Sequence, residues 1–452
     1  MNADIETSDK DNGRYVTAGG KRERLRKLVR LLSAFFLGQG AMQGISLLAS
    51  LYLVRTLSIP AYAQFGLAFG FQATASILMD FGFASTIIPL VGERFEDHHL
   101  VGRYVRAAKH LRDLSFWLTS PIVAIAFILI ARKNNWAAST QILLLLSVLL
   151  SLYSSGKVSY FSAPLFLYRR FRSYYLPQTL AALGRLASYI VLGTAGWLNA
   201  SGAALLSALN FTANGWLIGR ESKKYFVWPD HNDASIEKEV VRYILPATPA
   251  IVLGAFHGQI SLFLISVFGG TTSIAQVAAL GRLAQIFTVF MTFNVVIIEP
   301  FVARLPEAKL SATYLQLLGC GVVAAVGLSM FAFLEPGPFV WVLGPKYQSL
   351  RGLIGWVITT ACINYVAGLM WIMNRSRKWV FWRGAALELA LVFLVQIGFL
   401  IWIGVRTTRE AVFFSFTSSF CYILTHGYIA IYGHSRRIPL QPGMSKNDTL
   451  SV

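Results

Sequence analysis

Charged residues are scarce in this chain of 452 residues, because Asp, Glu, Lys and Arg together make up only 13% of it. A soluble chain of this length carries roughly 25% charged residues, so the composition excludes a soluble globular protein. Cysteine is scarce too. The three cysteines lie in apolar segments and show no spacing typical of a disulfide framework or a metal site. We therefore predict neither a metal nor a cofactor.

Hydrophobic residues, by contrast, make up 55% of the chain. They occur in runs of about 20, the length that crosses the hydrocarbon core of a bilayer. The sequence thus predicts a multi-pass membrane protein. Basic residues outnumber acidic ones by 40 to 21. In a membrane protein the positive-inside rule and anionic lipid head groups account for such an excess, so we expect membrane lipids as partners and no nucleic acid.

The apolar runs define twelve predicted transmembrane helices. Their ranges are 31–54, 63–92, 114–131, 139–167, 175–197, 201–219, 244–268, 275–302, 310–333, 350–373, 380–405 and 410–433. With the N-terminus inside, the inner segments carry 30 of the 40 Lys and Arg residues and the outer loops only seven. This bias predicts that both termini are cytoplasmic. Tryptophans near the predicted helix ends fit an aromatic belt: Trp136, Trp197, Trp341 and Trp402 outside, and Trp117, Trp379 and Trp382 inside.

An internal repeat divides the chain into two halves. Ala63-Gln64 opens the second predicted span and Ala275-Gln276 opens the eighth, and both spans end near a proline. Six helices separate the copies, so the halves share one orientation and a pseudo-twofold axis along the membrane normal. The fold class is therefore all-α, with about twelve helices in two lobes. The predicted parts are a disordered cytoplasmic tail at 1–30, six-helix lobes at 31–219 and 244–433, a cytoplasmic linker at 220–243 and a second tail at 434–452.

Several short stretches are familiar from one group of transporters. They are Gly38-Gln39-Gly40, Asp80-Phe81-Gly82, Leu167-Tyr168-Arg169-Arg170-Phe171, Gly281-Arg282-Leu283 and Leu343-Gly344-Pro345-Lys346-Tyr347. Together they resemble the polysaccharide and O-antigen flippases, which belong to the multidrug/oligosaccharidyl-lipid/polysaccharide exporter superfamily. The resemblance runs from about residue 30 to 435. One departure is Gln259, which stands where many relatives carry an acidic residue.

The resemblance implies two lobes in a V shape around a central cavity. It also implies that the cargo is an oligosaccharide linked through pyrophosphate to an isoprenoid, typically undecaprenol. Such a flippase moves its cargo to the periplasmic leaflet of the bacterial inner membrane by alternating access, for surface polysaccharide, exopolysaccharide or lipopolysaccharide assembly. A proton or sodium ion as coupling ion, a polysaccharide polymerase and a chain-length regulator are further expectations of this resemblance.

Three cations, Lys157, Arg185 and Arg282, lie within predicted spans. A charge at bilayer depth costs at least ~2.5 kcal/mol, so it usually faces protein or a water-filled cavity. Lys157 and Arg185 lie on antiparallel neighbours, each ~15 Å from the predicted inner boundary, and Asp80 lies ~18 Å deep. A shared layer would form a cationic site for pyrophosphate. The alternative is an ion pair of Asp80 with Lys157 or Arg185 that holds helices together.

Two further charged residues have two interpretations each. Arg282 either completes the cavity from the second lobe or extends its long side chain to the outer head groups. Glu388, ~12 Å inside the eleventh span, either exchanges protons for coupled transport, with Asp80 as the other candidate, or is a partner of Arg383 or a polar group at a wet packing site.

Two rival functions remain. A drug or metabolite antiporter of the same superfamily would bind cations and need an acidic cavity. A membrane-bound polymerase or ligase would need a sizeable outer catalytic loop, whereas the largest predicted outer loop, Glu335 to Ser349, is short. A Gly-rich phosphate loop and a His cluster are also missing from the sequence, so we predict that the protein is not an enzyme.

Overall fold

The computed structural model describes residues 19–435, except residues 169, 246, 247, 304, 378 and 380. Residues 436–452 of the predicted C-terminal tail and the first 18 residues of the N-terminal tail lie outside this part, as does Arg169 of the resemblance. Residues 434 and 435 of the predicted tail belong to α18. The described helices are α1 (Gly19–Thr56), α2 (Ile59–Asp80), α3 (Phe83–Val91), α4 (His98–Lys133), α5 (Ala138–Leu167), α6 (Phe171–Thr194), α7 (Ala200–Ser222), α8 (Ala234–Ile244), α9 (Thr248–His257), α10 (Ile260–Phe268), α11 (Thr271–Ala284), α12 (Phe287–Phe293), α13 (Glu299–Ala303), α14 (Glu307–Leu334), α15 (Gly337–Leu343), α16 (Arg351–Ser376), α17 (Trp382–Trp402) and α18 (Thr408–Ser435).

All twelve predicted spans are present. The second is divided into α2 and α3, the seventh into α9 and α10, and the eighth into α11, a π-helical turn and the short helices around it. Seven of the described helical stretches are long and apolar enough to cross a membrane by length and composition alone. The first, fifth, sixth, seventh and twelfth predicted spans are not among these seven, and polar residues such as Asn214 and Gln259 dilute the sixth and seventh. Helix α1 begins at Gly19, so residues 19–30 of the predicted disordered tail are helical.

The helices form two lobes. In the first lobe, α1 to α7, helix α5 packs on α7 and α1 packs on α6. In the second lobe, α9 to α18, helix α16 packs on α14 and α18. The main contact between the lobes is α2 against α11, where a Cβ atom on Gly66 would lie 2.6 Å from the methyl carbon of Ala278. Glycine is required at this close approach.

The second span breaks directly after Asp80. Phe81 and Gly82 adopt left-handed backbone conformations, with φ of 42° and 82°, so α2 ends and α3 begins in a new direction. Left-handed φ is common for glycine but uncommon for a bulky residue such as phenylalanine. The predicted continuous helix 63–92 is therefore wrong at this point, because α2 ends at Asp80 and α3 begins at Phe83.

The buried apolar side chains form a core that differs between the two ends of the molecule. We call the end that contains Thr56, Trp136 and Leu343 the outer end, following the predicted orientation. Toward this end one buried cluster contains residues of both lobes, among them Leu53 and Ile265. Toward the inner end the buried residues form two separate clusters, one of the first lobe with α8 and one of the second lobe.

A polar contact closes the outer end. Lys346 Nζ donates hydrogen bonds of 2.9 Å to the carbonyl groups of Arg55 and Leu57, at the C-terminal end of α1. Arg55 in turn donates to the carbonyl groups of Trp341 and Val342, and its guanidinium lies 4.8 Å from the Trp341 ring centroid. The last carbonyl groups of a helix lack partners within it and carry partial negative charge, so a cation stabilises them. We call this contact the outer clasp.

The connection between the lobes is docked on the first lobe. Val227 N donates to the carbonyl oxygen of His98 at 3.1 Å, Arg103 pairs with Asp233, and α8 packs on α3 and α4. Asp233 caps α8, accepting from the backbone N–H of Ser235 at 2.9 Å. The Ser235 hydroxyl and the Arg103 guanidinium hold the pKa of Asp233 below its usual range. The predicted linker is thus a structured part of the first lobe.

The predicted aromatic belt is only partly correct. Trp117, Trp197, Trp341, Trp382 and Trp402 are exposed, as a belt requires. Trp136 and Trp379, however, are only 7% and 9% exposed. Trp136 packs edge-on against Phe127 and Trp379 packs against Tyr314 and His434, so these two rings belong to the protein interior.

Candidate substrate cavity between the lobes

A central cavity of about 280 Å³ lies between α2 of the first lobe and α9, α10, α11, α16 and α18 of the second. Its polar lining comes mostly from neutral groups: Gln259, Ser261, Thr360, Asn364, Ser415, Ser418 and Ser419. Among the described residues that line it, none is Asp or Glu, and Arg282 carries the only fixed charge. This cavity therefore suits a polar ligand that is neutral or negatively charged.

Arg282 is held between the lobes. Arg282 is only 4% exposed, and its Nε donates a hydrogen bond of 3.1 Å to the Tyr62 hydroxyl. The guanidinium carbon lies 4.1 Å from the centroid of the Phe69 ring, a cation–π contact. Both partners are on α2, so a second-lobe cation is fixed by the first lobe. Of the two interpretations of Arg282, the geometry matches the cavity position and not an extension to the outer head groups.

Arg185, on the first lobe, does not line the central cavity, but its charge and that of Arg282 repel each other. Arg185 is partly buried on α6. The Tyr189 hydroxyl also interacts with it. Arg185 Nε is buried and has no hydrogen-bond partner. Two guanidinium groups whose charges repel each other in the membrane interior are unfavourable unless an anion lies near them. The pair therefore marks a place for negative charge.

Lys157 does not join this pair. Its Nζ lies 4.6 Å from the Tyr153 ring centroid, and Tyr153 is 41% exposed on the surface of α5. Lys157 lines none of the described cavities. The expected shared layer fails because α6 begins at Phe171 instead of residue 175. Arg185 thus lies about 21 Å from the inner end of its helix, whereas Lys157 lies about 15 Å from the end of α5.

Asp80 has neither Lys157 nor Arg185 as its partner. Its Oδ2 accepts a hydrogen bond from the Ser159 hydroxyl at 3.0 Å, and the charge that acts on it is that of Arg112. Both alternatives for an ion pair of Asp80 are therefore wrong. The predicted third span, 114–131, leaves Arg112 outside the membrane on the inner side. Helix α4 begins much earlier, at His98, so Arg112 lies inside it and is only 3% exposed.

Asp80 and Arg112 line a second cavity, which we call the inner pocket. Its volume is about 360 Å³. The lining residues are Ser76, Ile77, Asp80, Gly82, Ser85, Arg112, Ser155, Ser159 and Ile251. The sequence does contain a signal for the early start of α4, namely Asp97, because Asp is a preferred N-cap residue. Its carboxylate accepts hydrogen bonds from the N–H groups of His99 and Leu100, so the helix begins well before the apolar run and includes Arg112.

Glu388 lies on α17, partly buried, and its charge acts on the Tyr422 hydroxyl of α18. The Tyr422 ring packs against His257, with ring centroids 4.4 Å apart. The Tyr422 hydroxyl and His257 Nδ1 are buried without hydrogen-bond partners. Arg383 is exposed and forms no described ion pair with Glu388. Since His257 lines the central cavity, these side chains form a polar path from the cavity to Glu388.

No model of a known protein family matches this sequence, and neither does any curated protein. Solved structures do match. An inward-facing multidrug resistance MATE family transporter of the MOP superfamily is 15% identical, with 89% of this chain and 94% of that chain covered and a TM-score of 0.59. The lipid II flippase MurJ in an inward closed conformation is 12% identical, with 89% and 87% covered and a TM-score of 0.59.

A eukaryotic MATE transporter, AtDTX14, is 15% identical over 92% of this chain and 98% of that chain, with a TM-score of 0.53. At these identities the likeness shows the fold alone. This chain has the two-lobed, twelve-helix fold of the MATE and MurJ structures, as the sequence predicted.

Proposed function

We propose that this protein is a flippase that moves an oligosaccharide linked through pyrophosphate to an isoprenoid across the bacterial inner membrane, for surface polysaccharide, exopolysaccharide or lipopolysaccharide assembly. One observation carries the proposal: Arg282 lines a cavity whose described lining contains no acidic residue, and Arg185 of the opposite lobe is near enough to Arg282 for their charges to repel each other. A guanidinium group offers a planar set of donors that matches phosphate oxygens. A pyrophosphate carries enough negative charge to occupy both arginines.

The proposed transport cycle is alternating access. The outer clasp and the shared apolar core close the outer end, so cargo enters from the inner side in this conformation. Opening of the clasp and closure of the inner side would then expose the arginines to the opposite leaflet. Cytoplasmic termini, a polymerase and a chain-length regulator as partners belong to this proposal as expectations of the resemblance.

We place proton coupling at Glu388. The path from His257 through Tyr422 to Glu388 contains three titratable groups, of which Tyr422 and His257 have buried atoms without a partner. Exchange of a proton between this path and the cavity would link ion movement to cargo release. Asp80, the other candidate, has the cation Arg112 beside it and serves this role less well.

Binding of undecaprenyl pyrophosphate to the protein in nanodiscs, measured by native mass spectrometry, tests the proposal. A hydrogen bond to a charged group contributes about 1.5–3 kcal/mol, so Arg185→Ala and Arg282→Ala should each weaken binding roughly 10- to 100-fold. Arg383→Ala, which removes an exposed cation of the second lobe, is the matched control and should leave binding unchanged. Equal binding by the double variant Arg185→Ala/Arg282→Ala would exclude the pyrophosphate site.

The second candidate is a drug or metabolite antiporter, which the likeness to MATE structures favours. Cationic compounds would need a carboxylate in the central cavity, where the described lining has none. Ethidium, added in the same assay, separates the two functions. Ethidium binding that is tighter than undecaprenyl pyrophosphate binding and that improves on loss of Arg282 would favour the antiporter.

A further inference from the structure

We propose that the inner pocket is a saccharide subsite, in which Asp80 and Arg112 bind the hydroxyl groups of a sugar residue of the cargo. This inference rests on the proposed function, because it assigns the position of the oligosaccharide while the pyrophosphate lies at Arg185 and Arg282. It concerns residues that the pyrophosphate site does not use.

The two charged groups of the pocket are not partners of each other. They form no direct ion pair, although both line the same cavity and their charges interact. Of the Asp80 oxygens, Oδ2 accepts from Ser159, whereas no hydrogen bond is described for Oδ1. Arg112 uses one nitrogen, Nη2, to donate to the carbonyl oxygen of Leu152 at 3.1 Å and to the Ser155 hydroxyl at 3.5 Å. Hydrogen-bonding capacity toward the cavity therefore remains on both sides.

This set of groups matches the chemistry of a sugar. A sugar hydroxyl both donates and accepts, and neighbouring hydroxyls on one ring present such pairs side by side. A carboxylate only accepts and a guanidinium only donates, so Asp80 and Arg112 together satisfy both functions of adjacent hydroxyls. The hydroxyl groups of Ser76, Ser155 and Ser159 also line the pocket, where Ser76 and Ser155 bond each other at 3.1 Å and Ser159 donates to Asp80. Asp80 and Arg112 form no direct ion pair, and the cavity that both line has a volume of about 360 Å³.

The position of the pocket fits an extended cargo. The central cavity and the inner pocket both adjoin α2 and α9: Phe69 and His257 line the first, and Asp80 and Ile251 line the second. Asp80 lies eleven residues beyond Phe69 on α2, which is about 16 Å along the helix. With pyrophosphate at Arg282, a sugar chain that runs toward the inner side along these helices would reach the pocket. The sugar attached directly to the pyrophosphate would not reach it.

The volume also fits, because sites for small molecules occupy about 300–1,000 Å³. Gly156 is part of this arrangement. A Cβ atom there would lie 3.2 Å from Arg112 Nε, so glycine allows the guanidinium to pack closely on α5 beside the pocket.

The test compares two kinds of probe on the full chain in nanodiscs, by native mass spectrometry. One is bare undecaprenyl pyrophosphate, and the other is a panel of undecaprenyl-pyrophosphoryl trisaccharides built from hexoses and N-acetylhexosamines. We expect at least one trisaccharide to bind the wild type tenfold or more tightly than the bare carrier. Asp80→Asn and Ser159→Ala should abolish this increment and leave binding of the bare carrier unchanged, which also shows that the variants are folded.

Matched controls lie beside both positions. Asp113→Asn removes a carboxylate that pairs with Lys109 outside the pocket, and Ser162→Ala removes a hydroxyl that bonds the backbone of Ser159. Both should keep the increment. The inference is overturned if no trisaccharide binds more tightly than the bare carrier, or if the increment survives in Asp80→Asn. Failure of the proposed function has a different signature, since then the bare carrier itself does not bind or is insensitive to Arg282→Ala.

Discussion

The outer and inner ends of this protein are built differently. At the outer end, one apolar cluster contains residues of both lobes, and Lys346 and Arg55 carry hydrogen bonds from one lobe to the other. Toward the inner end, each lobe has its own buried cluster, and polar cavities lie along α2 and α9. Apolar burial is continuous at the closed outer end and divided at the inner end, where we propose that cargo enters. The conformation can thus be changed most directly at the outer end.

Removal of the outer clasp should have the largest effect. In Arg55→Ala/Lys346→Ala, the carbonyl groups at the end of α1 lose Lys346 as a donor, and those of Trp341 and Val342 lose Arg55. A hydrogen bond from a charged group contributes about 1.5–3 kcal/mol. We expect the population with an open outer end to rise roughly 10-fold or more. This population can be measured from the distance between two spin labels, attached at Trp197→Cys and Trp402→Cys in a chain whose native cysteines have been replaced. Arg351→Ala, an exposed outer cation, is the control, and an unchanged distance distribution in the double variant would contradict a closing role.

Gly66→Ala should produce the next largest effect. The added methyl group would lie 2.6 Å from that of Ala278, so α2 and α11 must separate. Overpacking of this kind costs about 1–3 kcal/mol in the closed arrangement. The same spin-label pair should therefore report a wider outer end. Gly319→Ala, where a Cβ atom meets open space, should leave the distances unchanged; an equal response of both variants would mean that the contact is not specific.

Glu388→Gln addresses the inner polar path and should leave the outer end unchanged. The variant keeps the shape of the side chain and removes its exchangeable charge. We expect transport driven by a pH gradient in liposomes to be lost while undecaprenyl pyrophosphate binding is retained. Glu307→Gln, at an exposed position at the start of α14, is the control. Wild-type flux in Glu388→Gln would make Glu388 a packing residue.

The smallest effect is expected at the docked linker, where Asp233→Asn weakens the cap of α8 and the pair with Arg103. Exposed ion pairs contribute little, so amide exchange in α8 should accelerate only roughly two- to threefold. Because folding lowers the pKa of Asp233, its stabilisation is present above the ordinary Asp pKa of about 3.9 and is lost as the pH falls. Hydrogen exchange at pH 7 and at about pH 3, below the ordinary Asp pKa, measures both effects. Asp230→Asn is the control, and faster exchange in that variant alone would contradict the contact.

The sequence predicted the helices well because apolar runs of membrane length are a strong, local signal. Depth was harder to predict, since polar helix ends extend beyond the apolar runs. Helix α4 begins at His98 and α6 at Phe171, and these shifts moved Arg112 into the interior and separated Arg185 from Lys157. The break at Phe81 was not predictable, because phenylalanine gives no local signal for a left-handed conformation. The approach of Arg185 to Arg282 depends on how two lobes pack, which no single segment encodes.

The docked linker sets a limit on how far the lobes can travel. A free connection of the predicted length, 220–243, would allow wide excursions of one half relative to the other. Here that segment is fastened to α4, and Ile244 is buried against the break between α2 and α3. The connection is thus held to the first lobe as far as Ile244, and Ile251 of α9 lines the inner pocket beside Asp80. A tilt of the second lobe that keeps these contacts must therefore displace its far end more than the part of α9 beside the pocket.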